Sequence, residues 1–266
     1  MKTATTKGKA EQKVTKNVTK NETKNVTKNQ EGSVDKSVQQ PVKKTAKKVV
    51  KKTVKADAAD QTTLVVLVVD RSGSMTSIKE DMEGGIKTLL EEQSQVAGTC
   101  LVTLAQFDSE YELVADATPI AELADYLLIP RGSTALLDAI GRTIGQVESR
   151  LKGLAPDDQP DHVLFAVITD GMENASSEWT RSKVMKSVKA KVAGGWDFMF
   201  LGANQDAIEE GAHMGFAAET ALTFEPSSEG IKEAWSSVSM SMGKMRRGEA
   251  SALEFTEEDR KAASGQ

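Results

Sequence analysis

Three short segments of this 266-residue chain concentrate oxygen-bearing side chains in places where they could meet. The first reads Asp70, Arg71, Ser72, Gly73, Ser74, Met75 and follows a Val-rich apolar run. The second, Pro130 to Asp138, contains Gly132, Ser133 and Thr134, and the third is Thr169, Asp170, Gly171 at the end of another apolar run. Carboxylate and hydroxyl oxygens suit a hard cation such as Mg²⁺ or Mn²⁺, which keeps several waters and needs few protein ligands. The candidate metal ligands are Asp70, Ser72, Ser74, Thr134 and Asp170. Taken singly, each has a plainer role. Ser74 and Thr134 could cap the helices that follow them, and Asp170 could turn with Gly171. Their placement after two buried apolar runs and in the intervening loop is what favours a metal.

Other chemistries lack their parts. Cys100 is the only cysteine, which excludes both an internal disulfide and a thiolate metal site. His162 opens the strand that ends at Asp170, about eight residues at ~3.3 Å each away. His213 lies near the end of a helix expected to run back toward that same far edge, and no Gly-x-Ser-x-Gly elbow occurs, so a Ser–His hydrolase is not expected. Arg71 and Ser72 follow Asp70 where a phosphoaspartate site would favour a second Asp. No Gly-x-x-x-x-Gly-Lys-Ser/Thr loop is present to cradle a nucleotide.

The elements that must carry these segments alternate. Continuous apolar runs at 63–70, 162–169 and 197–202 predict strands buried on both faces of a parallel sheet. Residues 99–107 and 111–115 predict a hairpin across 108–110, hence one antiparallel edge strand. Helical spacing of apolar residues covers 77–96, 120–127, 135–154, 180–193, 204–214 and 229–245, with a short strand at 220–224. Thr256 with Asp259 predicts a capping box opening a terminal helix. The fold class this implies is α/β, a doubly wound and mostly parallel sheet. Ligands of such sheets sit beyond the carboxyl ends of the strands, where strand order reverses.

In order, spacing and position after strands, the three segments resemble the Asp-x-Ser-x-Ser, Thr and Asp elements of the metal-ion-dependent adhesion site in von Willebrand factor type A domains. The resemblance covers roughly residues 63–245. It implies that Ser72, Ser74 and Thr134 coordinate the metal directly, and that Asp70 and Asp170 do so directly or through water. Neutral hydroxyls would leave the ion electron-poor and ready to accept an Asp or Glu carboxylate from a protein partner. Ser133 stands where many members have Gly. Glu173 and Asn174 are expected on the rim, as partner-selecting groups or as plain solvated loop. The resemblance further implies the intracellular prokaryotic or phage-like kind of member, with no catalytic activity.

Charge divides the chain. Residues 1–60 hold 16 Lys against 6 acidic residues, whereas the remainder carries a net −15, so the overall −5 hides a basic arm on an acidic body. The arm has no aromatic residue, Leu or Ile, and cannot bury enough apolar surface to offset its ordering entropy. The domains expected are a disordered Lys-rich arm at 1–60, the type A-like domain at 61–248, and an extension with a short helix at 249–266. The arm suits loose contact with nucleic acid or another polyanion, or a plain soluble tether. Two alternative functions follow: a nucleic-acid-associated protein whose domain is a docking head, and a metal-assisted hydrolase. No run is apolar enough for a membrane span and no secretory signal is evident, so a cytoplasmic location is expected.

Overall fold

The computed structural model describes residues 58–266. The disordered arm expected over 1–60 therefore falls outside the described residues except at its end, where Ala58–Asp60 form a 3₁₀ turn.

The Val-rich run forms β1 (Thr62–Asp70), with every residue from Thr63 onward buried. Its neighbours are β2 (Thr99–Phe107) and β4 (His162–Thr169), both parallel to it. β3 (Tyr111–Pro119) adds antiparallel to β2 at one edge, and β5 (Trp196–Ala203) and β6 (Ala221–Phe224) continue in parallel on the other side. The order is β3-β2-β1-β4-β5-β6. The chain leaves β1 for β2 on one side and later enters β4 on the other, so winding reverses between β1 and β4.

Because side chains alternate along a strand, β1 serves two cores. Val65, Leu67 and Val69 join one, with Met82, Ile86 and Leu89 of α1 (Lys79–Ser94) and Trp235, Val238 and Met242 of α5 (Ser228–Arg246). Leu64, Val66 and Val68 join the other, with residues of α2 (Leu136–Lys152), α3 (Arg181–Val192) and α4 (Ala207–Met214). A continuous apolar run is what a strand covered on both faces requires. No helix among the described residues is long and apolar enough to cross a membrane.

Three elements differ from expectation. Residues 120–127 form one 3₁₀ turn, Ile120–Glu122, followed by extended chain. There Tyr126 and Leu128 face the core while Leu127 and Ile129 are exposed, an in–out alternation proper to extended chain and not to the helix expected. β3 runs on to Pro119, past the 115 expected, because a bulge lets Ala117 adopt a positive φ of 47° and donate its N–H to Thr103 Oγ1. The segment after 248 is part of the fold. Leu253, Phe255 and Ala263 lie in the first core, and α6 (Glu257–Ser264) opens with the Thr256–Asp259 capping box.

α1 and α5 lie together through Gly85. A Cβ there would come within 1.9 Å of the Trp235 indole, whereas at Gly84 it would meet nothing within 4 Å. Gly85→Ala is expected to destabilise the domain by about 1–3 kcal/mol through overpacking. Gly84→Ala should instead stabilise it by up to about 1 kcal/mol through helix propensity. Urea midpoints at unchanged slope check the pair.

Candidate metal centre

β1 and β4 end side by side, with Val69 opposite Ile168. The next residues therefore meet: Thr169 Oγ1 donates to Asp70 Oδ2 at 2.6 Å. The other carboxylate oxygen, Oδ1, accepts the Ser72 N–H at 2.6 Å and turns the chain back over the strand end. The following 3₁₀ turn, Gly73–Ile78, sets the Ser72 and Ser74 hydroxyls 3.0 Å apart, and Ser74 Oγ donates to Asp170 Oδ1 at 2.7 Å. Thr134 closes the group. A Cβ placed on Gly171 would lie 3.1 Å from Thr134 Oγ1, 3.4 Å from Ser74 Oγ and 3.8 Å from Asp70 Oδ2. Oxygens from all three segments thus surround one small space that glycine keeps clear. The five residues expected to form the site are brought together.

The donor set fits a hard divalent ion. Among the described residues no cluster of three or more His, Cys, Asp or Glu could hold a metal. This centre has only two carboxylates and takes its remaining oxygens from hydroxyls, a set that Mg²⁺ or Mn²⁺ accepts. Asp70 is fully buried, Ser72, Thr134 and Asp170 nearly so, and Ser74 is exposed on the open side. Burial pushes Asp70 up to about 6, with Asp170 adding to the rise and the bonds from Thr169 and Ser72 opposing it. Burial likewise raises Asp170, opposed by Ser74. No ion pair among the described residues reaches either carboxylate. Two buried acids without a counter-charge favour a cation strongly.

The only nearby guanidinium in sequence turns away. Arg71 Nε donates to Asp108 Oδ2 at 2.9 Å and its Nη1 to Glu112 Oε2 at 2.6 Å. Arg131 Nε reaches the same Asp108 oxygen at 2.7 Å, and its Nη2 reaches Glu110 at 2.8 Å. Asp108 C=O also accepts the Ala135 N–H, and Arg131 N–H donates to Arg71 C=O. The β2–β3 turn therefore clamps the first metal segment to the second. Burial raises the Asp108 carboxyl, but Arg131, the Glu110 amide and Arg71 outweigh it and hold the group below its ordinary value. Gly132 holds a φ of +67° against this turn, and its C=O accepts the Gly73 N–H at 3.2 Å. Ser133, the residue that differs from the common Gly, donates its N–H to Ser109 Oγ.

The second and third segments are joined as firmly. Thr134 N–H donates to Asn174 Oδ1, and Thr134 C=O accepts the N–H groups of Asn174 and Ala175. Glu173 accepts from Leu137, Ala175 and Ser176. Expected as either rim groups or plain solvated loop, Glu173 and Asn174 are instead committed to holding loops together. Asp138, which the sequence reading passed over, accepts the N–H groups of Ser177, Glu178 and Trp179 at 2.7–3.0 Å. Its position inside the second segment was the one available signal.

Neither histidine faces the centre. His162 opens β4 at the far end of that strand, and His213 lies near the end of α4, 3.9 Å from Glu210.

No family profile and no curated protein matches the chain. Solved structures do. The vWF domain of the type V pili tip protein Mfa5 from Porphyromonas gingivalis superposes with a TM-score of 0.50 at 11% identity, over 74% of this chain and 98% of that domain. The described residues form a von Willebrand factor type A-like fold. The pilus adhesin SpaC from Lactobacillus rhamnosus GG matches the type A-like domain with a TM-score of 0.51 at 11% identity, over 70% of this chain and 31% of that one. Proximal thread matrix protein 1 from the mussel byssus, with a zinc-occupied MIDAS motif, gives 0.49 at 14% identity, over 70% and 47% of the two chains. The chain thus spans about half the length of that relative, and at these identities the likeness is one of fold.

Asp70 sets a pH signature for the metal-free type A-like domain. Its folded value, about 6, lies above the 3.8 of an unperturbed group. Folding therefore gains from it fully below about pH 4, and the gain is lost as pH rises through about 6. Urea unfolding in EDTA should show wild type losing up to about 3 kcal/mol relative to Asp70→Asn over that window. A difference between the two proteins that stays constant with pH would contradict the assignment.

Proposed function

We propose that the type A-like domain is a divalent-metal-dependent protein-binding module without catalytic turnover. Asp70, Ser72, Ser74, Thr134 and Asp170 would hold Mg²⁺ or Mn²⁺ there. When bound, the ion supplies a Lewis-acidic point of attachment for an Asp or Glu side chain of a protein partner. The observation that carries this reading is the oxygen-lined space around Gly171, walled by two buried carboxylates that have no counter-cation.

The chain's own residues divide the work. Asp70 fixes the first loop through Ser72 and the strand ends through Thr169. Ser74, on the open side, holds Asp170 in place and marks the direction from which a partner approaches. A metal-assisted hydrolase also needs a proton acceptor besides the ligands. Both histidines lie elsewhere, which supports the binding reading over that alternative. The likeness in fold to a pilus adhesin and a pilus tip protein supports it as well.

Calorimetry should show Mg²⁺ or Mn²⁺ binding to wild type and none to Asp70→Ala, with the circular dichroism spectrum retained. Pull-down from the native host with Mg²⁺ should recover a partner that EDTA releases. Thr134→Ala should weaken that partner by roughly tenfold or more while changing stability little. Replacing the partner's acidic residue with Asn or Gln should have a similar effect, and combining the two changes should add little further loss. Equal partner binding in EDTA overturns the proposal. So does hydrolysis of a phosphate or peptide substrate that Asp70→Ala abolishes. Salt-sensitive binding that persists in EDTA and is lost with residues 1–60 would favour the nucleic-acid reading.

A further inference from the structure

The outer faces of α1 and α5 leave between them a groove with a volume of about 480 Å³, and none of the five metal-centre residues lines it. Its walls are helical and its floor is the Trp235 indole, 4% exposed and packed on the backbone of Gly85. Gly84 keeps the groove open, since a side chain there would have no neighbour within 4 Å.

Two independent features point to a ligand. The first is the indole Nε1–H, which donates to no acceptor among the described residues, although buried tryptophans ordinarily find a partner. Unlike Gln61 Oε1 and Arg246 Nε, it is not among the polar atoms sealed from solvent without a partner. It therefore keeps contact with solvent, and Trp235 is one of the residues that line the groove. The second is the charge of the rim. Glu80, Glu92 and Glu229 are exposed carboxylates, and Asp81 accepts from Ser228 Oγ at 2.9 Å. Lys232 is the single cation of the lining, 3.6 Å from Glu229 and 3.8 Å from Glu233.

We propose that this groove binds a lysine- or arginine-bearing segment of a protein partner. Its cationic side chains lie against the rim carboxylates while a main-chain carbonyl accepts the Trp235 Nε1–H. The two features together select a peptide. A polyamine brings positive charge but no acceptor for the indole. Nucleic acid brings acceptors but is repelled by the rim, as is an acidic peptide. The groove works without the metal centre, so this proposal stands or falls separately from the metal-dependent one.

The test uses the full chain in EDTA and a short fluorescent peptide of alternating Lys and Ala, with a Glu–Ala peptide beside it. The Lys peptide should bind at low salt and the Glu peptide should not. Gly84→Leu places a side chain where space is free and should weaken binding by roughly tenfold at a urea midpoint no lower than that of wild type. Glu92→Lys should weaken it comparably. Trp235→Phe, which keeps the packing but removes the donor, should weaken it several-fold. Unchanged affinity in Gly84→Leu means general charge attraction and overturns the proposal, as does equal binding of the Glu peptide. Should Gly84→Leu lower the urea midpoint, Glu92→Lys decides alone.

Discussion

Everything at the carboxyl edge of this sheet is organised around one buried acid. Asp70 ends the central strand, where both faces and both neighbouring strands deny it water. A carboxylate in such a place is expensive to ionise, and the protein offsets only part of the cost, with one hydroxyl and one amide. An asparagine could accept the Ser72 N–H and turn its amide N–H toward the Thr169 hydroxyl, filling the place without the charge. Keeping an acid there, with a second beside it, makes sense when a cation completes the set. The topology supplies the rest, because only where β1 and β4 run parallel and end together can residues a hundred positions apart share one ion.

The arginines show how the edge is kept rigid without cancelling that negative charge. Asp108 draws in Arg71 and Arg131 on the far side of the first loop, so positive charge braces the site from behind. Only the Arg71 pair is buried, Arg131 being half exposed, and a buried pair is weak evidence for net stability. Their effect here is directional. The loop backbones are tethered to the β2–β3 turn, and the metal side is left to oxygen.

How far this was legible in sequence depends on whether the signal was local. The runs that became β1 and β4, the five oxygen-bearing residues of the candidate centre and the Thr256–Asp259 capping box all declare themselves within a few residues, through apolar continuity or motif spacing. Residues 120–127 misled because Tyr126 and Leu128 alternate inward along extended chain, and over so short a stretch period two and helical spacing overlap. β3 was cut short because the bulge at Ala117 breaks the alternation by one residue. The bonding roles of Asp108, Asp138, Glu173 and Asn174 could not be read. Each looks like an ordinary loop polar residue, and its partner stands about 20–40 positions away in chain. Side chains that hold loops together leave no periodic trace.

The bonds between Thr134 and Asn174 have a mechanical consequence. Thr134 is tied through both its N–H and its C=O to the segment after β4, and four residues later Asp138 grips that segment again ahead of α3. The Thr134 backbone is therefore joined to that segment at both of its polar groups. Any displacement that carries it must drag the 173–179 segment and pull on the start of α3, while the Asp108 clamp holds the preceding residues still. The backbone of Thr134 and the start of α3 are in this way parts of one hydrogen-bonded unit on the α2–α3 side of the domain.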